Sequence, residues 1–210
     1  LGKLAQQEEY SPDRVNTVET IDTLRARKKA ATRQALHEAA LRLAMARGLD
    51  GVTVEDIADD VGVSRRTFSN YFANKEDAVL YADRERMRTL LSLVTDRPAR
   101  ERPWLALRSG TAELYRDRPI PDPEWVAQLR LLRRHPSLMA RQAADQITLE
   151  RDLASMLLDR GSGIDAELAR VMAATFLAAL RTAGVLWLEQ SGEERLPALV
   201  DRVLSRVHPR

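Results

Sequence analysis

Apolar positions along this chain recur three and four residues apart and almost nowhere alternate with polar ones. That spacing predicts helices, because residues at i, i+3 and i+4 share one helical face. Leu36, Ala40, Leu43 and Ala44 mark such a face in a helix over Arg27–Arg47. Gly48 and Gly51 stop it, since glycine accepts the left-handed geometry of a helix end. A short helix over Thr53–Val61 opens on a capping-box pattern, Thr53 with Asp56. Gly62 turns the chain, Ser64 caps a helix over Ser64–Phe72, and Asn74 caps a long helix from Lys75 to about Asp96. Pro98 and Pro103 interrupt, and a helix follows over Pro103–Tyr115. The alternate prolines of Asp117–Pro123 exclude helix there. Further helices are expected over Glu124–Arg134, Ser137–Arg160, Asp165–Gln190 and Pro197–Val207, about nine in all. The predicted fold is all-α, with a mobile extension over 1–24, a first domain over 25–74 and a second over 75–210.

Thr53–Asp77 reads helix, tight turn, helix, and the start of another helix, the layout of a helix-turn-helix DNA reader. Leu36, Ala40, Leu43, Val52, Ile57, Ala58, Val61, Val63, Phe68 and Phe72 supply its small core. Arg65, Arg66, Ser69 and Asn70 are then left facing outward. Arg65 and Arg66 occupy the first turn of their helix, where cations oppose the helix dipole by some tenths of a kcal/mol each. The placement makes sense if a phosphate or a guanine edge answers it, because arginine pairs two-pronged with guanine. Ser64, Thr67, Tyr71 and Lys75 offer hydroxyls and an ammonium, groups that hold phosphates and fix register.

Charge sharpens this picture. The net charge is only +2, yet Arg25–Arg47 holds seven cations against the single acid Glu38. A basic leader on a near-neutral body is an electrostatic footprint that suits nucleic acid. Lys28 and Lys29 join the expected DNA contacts, and Arg25–Lys29 is expected to reach a neighbouring minor groove as an extended arm. Hydrophobic residues make up 44% of the chain, enough for a core, and there is no cysteine and so no thiolate chemistry. Leu1–Leu24 is mostly polar, which predicts no secretory signal, and the apolar run Val171–Leu188 is expected to be a buried helix rather than a membrane span. A cytoplasmic location is the expectation that fits these features.

The stretch TVEDIADDVGVSRRTFSNYFANKEDAV closely resembles the DNA-binding domain of TetR-family transcriptional regulators. The alanine at 58, the turn Gly62-Val63-Ser64, Thr67-Phe68, Tyr71-Phe72 and Asn74-Lys75-Glu76 carry the resemblance. It implies a homodimer whose first three helices read DNA and whose remaining helices bind a ligand and dimerise. By position it makes Thr53, Ser64, Thr67, Tyr71 and Lys75 backbone contacts and Arg65, Arg66 and Asn70 base contacts. The family often has an aromatic residue where Ser69 stands, so the contact made by that aromatic is in question here.

The second domain says less. Trp104, Leu107, Tyr115, Trp125, Leu129, Met139, Ile147, Met156 and Phe176 are candidate pocket residues for a small-molecule effector. Ala174, Ala178, Arg181, Val185, Leu199 and Val203, on the last two helices, are candidate dimer contacts. Arg130, Arg133, Arg134, His135 and Arg141 form a basic cluster read as solvated surface, and His37 is also placed on the surface. No catalytic set, metal-ligand spacing or phosphate-binding loop emerges, so neither a cofactor nor a metal is expected and an enzyme is disfavoured. The function expected is a ligand-responsive homodimeric repressor on a near-palindromic double-stranded operator. The rivals are a sequence-indifferent architectural protein and a helical protein-interaction module.

Overall fold

The computed structural model describes residues 13–116, 123–161, 163–190 and 194–207. Among these residues there are ten helices and no strand. They are α1 (Asp13–Arg47), α2 (Val54–Val61), α3 (Arg65–Ser69), α4 (Lys75–Val79), α5 (Tyr81–Thr95), α6 (Pro103–Leu114), α7 (Pro123–Arg134), α8 (Pro136–Asp159), α9 (Ala166–Glu189) and α10 (Leu196–Arg206).

Helix α1 begins well before the predicted Arg27. No glycine or proline lies between Asp13 and Arg47, so nothing interrupts propagation once the helix has formed. The extension expected over 1–24 is therefore helical from Asp13 onward, and Arg25–Lys29 lies on a helix rather than on an extended arm. The start of α2 is capped as expected. Thr53 Oγ1 accepts from Asp56 N at 3.1 Å, and Asp56 Oδ2 accepts from Thr53 N at 2.8 Å. Gly62 ends α2 with φ 72°, a left-handed geometry that would strain any side chain.

Two cores share the molecule. The first gathers Leu36, Ala40, Val52, Ile57, Ala58 and Phe68 with Ala78 and Val79 of α4 and Leu80 at its end, as well as Leu131, Leu132 and Leu138 from α7 and α8. The reader is thus closed by residues from far down the chain, and its core does not stop at residue 74. The second core packs α5, α6, α9 and α10 around Val94, Leu107, Phe176 and Leu199. The helix expected over Lys75–Asp96 is divided between these cores. Leu80 bends it with ψ 2°, while its N–H still bonds Glu76 O at 2.9 Å. The segment before the bend is drawn into the reader core and the one after it into the body.

Helix α9 is long and apolar enough to cross a membrane by length and composition. Here it is packed between α8 and α10 and buries Met172, Ala173 and Phe176. Helix α8 starts one residue before the expected cap. His135 stands at the N-cap without a side-chain capping bond, and Pro136 occupies the first turn, where its missing N–H costs nothing. Helix α6 crosses α5 at Gly110, where a Cβ would lie 2.6 Å from Val94 Cγ2.

Candidate nucleic-acid interface and effector cavity

The outward face of α3 is assembled as the spacing predicted. Phe68 is fully buried, and this aims Ser64, Arg65, Arg66, Ser69 and Asn70 into solvent. Ser64 Oγ accepts from Thr67 N at 3.0 Å and shares a 2.9 Å hydrogen bond with Thr67 Oγ1, so the two hydroxyls are already oriented. Arg65 is held by Glu55 of α2 at 2.9 Å, both side chains being exposed. Arg66 and Ser69 are exposed on the same short helix, and Asn70 is exposed at its C-cap. Tyr71 is half-buried, and the Arg33 guanidinium lies over its ring at 5.8 Å. Thr53 is exposed at the start of α2, and Lys28 and Lys29 are exposed on α1.

Lys75 has partners within the fold. Its ammonium donates to Leu49 O at 2.8 Å and to Val52 O at 2.9 Å, closing the α1–α2 turn. That turn has a second holder: His135 Nε2 lies 3.5 Å from Leu49 N as acceptor. The Leu49 peptide is therefore gripped from α4 on one side and from the α7–α8 junction on the other. Sequence spacing could not supply these partners, because they lie 26 and 86 residues away. His37 is also not on the surface. It is fully buried, and its Nδ1 donates to Ala78 O at 2.8 Å, tying α1 to the end of α4.

In the body a cavity of about 480 Å³ opens among α5, α7, α8 and α9. Tyr115, Trp125, Leu129 and Met139 line it, as expected. Trp104, Leu107 and Phe176 do not. They fill the second core, where Trp104 meets Phe176 edge to face at 6.1 Å and donates to Leu204 O at 3.3 Å. Met156 packs against the same core, and Ile147 lies on the outer face of α8, 63% exposed. Arg181 and Val185, expected at a dimer contact, are exposed and line the cavity. Leu199 is buried in the protomer's own core and Val203 packs against it, because α10 folds its apolar stripe inward. Ala174 and Ala178 remain half-buried on α9.

The polar wall of the cavity was not foreseen. It comes from α5 and α8 and includes Asp83, Arg84, Arg86, Gln142 and Asp145. Desolvation pushes the Asp83 carboxyl above its ordinary value, against the pull of Arg86. Arg86 in turn lies over the Trp125 ring at 5.2 Å. Desolvation also works against the charge on Arg84, but hydrogen bonds to Asp145 and Asp77 outweigh it and raise its pKa. The basic cluster around His135 is divided. Arg141 turns inward to Asp77, Arg133 lines the cavity, and Arg130 and Arg134 are exposed.

Residues 36–82 match the family described as bacterial regulatory proteins, tetR family, and residues 101–210 match the MftR C-terminal domain. The chain is 35% identical over 150 residues to the HTH-type transcriptional regulator TcmR of Streptomyces glaucescens, covering 68% of this chain and 65% of that protein. The match thus spans just under two thirds of the relative's length. Among solved structures, the fatty acid degradation regulator FadR from Bacillus halodurans aligns with a TM-score of 0.56 at 20% identity, covering 83% of this chain and 93% of that one. FadR from Bacillus subtilis, in complex with stearoyl-CoA, aligns at 0.55 and 22% identity, covering 83% and 98%. FadR from Thermus thermophilus, in complex with lauroyl-CoA, aligns at 0.53 and 20%, covering 85% and 98%. These likenesses carry the fold. The two family matches place this chain in the TetR family of bacterial regulatory proteins, which are regulators and not enzymes.

Proposed function

We propose that the chain is a sequence-specific DNA-binding transcriptional regulator of the cytoplasm, a homodimeric repressor released from a near-palindromic operator by a small-molecule effector. The observation that carries this reading is the outward face of α3. Two adjacent arginines, a serine and an asparagine stand exposed on a helix whose one large apolar residue, Phe68, fixes their direction. The N-terminal end of a recognition helix is the end that enters the major groove. Arg65 and Arg66 are the base-reading candidates and Asn70 the third. Thr53, Ser64, Thr67 and Tyr71, with Lys28 and Lys29 of α1, serve as backbone contacts. Lys75 acts on DNA only indirectly, by holding the turn that leads into α2.

The cavity between α5, α7, α8 and α9 supports an effector site, and the acyl-CoA complexes of two structural neighbours support a small-molecule effector. The dimer would rest on the outer face of α9, where Val171 is 51% exposed and Ala174 and Ala178 allow close helix approach. Two readers then face half-sites one turn of DNA apart.

Selection of bound fragments from genomic DNA at physiological salt, followed by sequencing, tests the reading. A single enriched near-palindrome is expected. Even coverage of all fragments would make the protein a sequence-indifferent binder, and no retention at low salt would make it a protein-interaction module.

A further inference from the structure

One ion-pair network joins the cavity to the reader. Asp77, on α4, is 5% exposed and receives Arg84 Nη2 at 2.7 Å. Arg141 Nε of α8 lies 2.7 Å from the same Asp77 oxygen, as an ionic contact without hydrogen-bond alignment. Arg84 Nε donates to Asp145 Oδ2 at 2.6 Å, and Arg141 lies 3.7 Å from Asp145 Oδ1. Arg84 and Asp145 line the cavity, whereas Asp77 belongs to the helix that Lys75 opens and that packs into the reader core. Arg84 therefore touches the cavity with one side of its guanidinium and the reader's last helix with the other.

Charge decides what such a wall accepts. Among the described residues the cavity is lined by five arginines (Arg84, Arg86, Arg88, Arg133 and Arg181) against three aspartates, Asp83, Asp145 and Asp152. The rest of the lining is mainly leucine, with Trp125, Tyr115 and two methionines. A cationic head group meets net repulsion here. A neutral one must compete with carboxylates already bound to Arg84. An anionic head can exchange for one of them, and Asp77 keeps Arg141 as counter-ion when Arg84 leaves it.

We propose that the effector is a mainly apolar molecule bearing one anionic head, and that this head takes Arg84 from Asp77 and so loosens α4. The proposal rests on the regulator reading above and names the chemistry of its effector. An effector acts only by binding one state better than the other, and the exchange at Arg84 supplies that difference.

Two dyes with the same N-phenylnaphthylamine skeleton test it: 1-anilinonaphthalene-8-sulfonate, which is anionic, and N-phenyl-1-naphthylamine, which is neutral. Fluorescence titration of the full chain is expected to show the sulfonate binding about tenfold tighter or more, the scale of one added charge-assisted hydrogen bond. Arg84→Gln should abolish the gap while leaving the neutral dye bound, which also reports that the variant folds. Should Arg84→Gln fail to fold, competition on the unmodified protein decides, with dodecanoate displacing the sulfonate dye and dodecan-1-ol failing to. Equal affinity for the two dyes, a preference that survives Arg84→Gln, or equal displacement by acid and alcohol overturns the proposal. These readouts need no DNA, so they stand apart from the fragment selection: a specific operator with no anion preference removes only the effector chemistry.

Discussion

The reader and the body use similar helices in opposite ways. In the reader, one buried residue on a five-residue helix, Phe68, is enough to aim the exposed residues around it, and the functional face is local to a few turns of chain. In the body, the cavity is shared among α5, α7, α8 and α9, and no single helix contains it. A local face is specified by periodicity. A shared cavity is specified by how helices meet, which periodicity does not state. The two regions meet at a bend, Leu80, at the hold of His135 on the Leu49 backbone, and through Leu131, Leu132 and Leu138, which close the reader core.

Substitutions that break this contrast rank as follows. Phe68→Ala empties the reader core at a fully buried position and should cost about 3–5 kcal/mol, seen as a large drop in the thermal midpoint with loss of DNA binding. Asp77→Ala removes the carboxylate that Arg84 and Arg141 share, though both keep Asp145, and should cost about 1.5–3 kcal/mol, with weaker operator binding even without effector. A stable Asp77→Ala protein with unchanged operator affinity would separate the network from the reader.

Gly110→Ala places a methyl 2.6 Å from Val94 Cγ2 on a fully buried neighbour and should destabilise the body by about 1–3 kcal/mol. Denaturant unfolding measures this, and the DNA preference of the folded fraction should not change. Arg66→Ala should cost about 1–3 kcal/mol on the operator and relax the choice at one base, while leaving stability within error. Binding to a panel of single-base operator variants reads the outcome, and an equal loss on every DNA would move Arg66 to the backbone contacts.

The smallest effect is expected at Thr53. Thr53→Ala should cost about 1 kcal/mol through the lost cap of α2. Hydrogen bonds from the Thr53 side chain and backbone hold Asp56 below the ordinary aspartate value of 3.8. Its stabilising contribution is therefore complete above that value and fades as pH falls through the lower folded value. Thr53→Ala should flatten this acid limb in a pH series of thermal melts.

The parts of the molecule legible in the sequence are those set by near neighbours. The capping of α2, the turn at Gly62, the burial of Phe68 and Ile57 and the exposure of Arg65 and Arg66 all follow from spacings of a few residues. The two carbonyls that Lys75 meets are not legible in the sequence, because a lysine at a helix start looks the same whether or not its ammonium also holds a distant turn. Trp104 and Phe176 carry the same apolar signature as Trp125 and Leu129, yet the first pair fills the core and the second lines the cavity. The stripe of α10 was equally ambiguous: Leu199 completes its own protomer instead of facing a partner. Arg84 and Asp83 are not legible as site residues because charges on a long helix look like a solvated face, and only the fold shows that one side of that helix is a cavity wall.

The most direct measurement is a pair of equilibrium titrations at physiological salt, one with a selected operator fragment and one with scrambled DNA of the same length and composition. The account predicts that the operator binds about a thousandfold tighter or more, the range of specific readers, and that Arg65→Ala with Arg66→Ala removes most of that ratio while scrambled binding changes little. A ratio near one in the unmodified protein, or one that survives loss of both arginines, contradicts it.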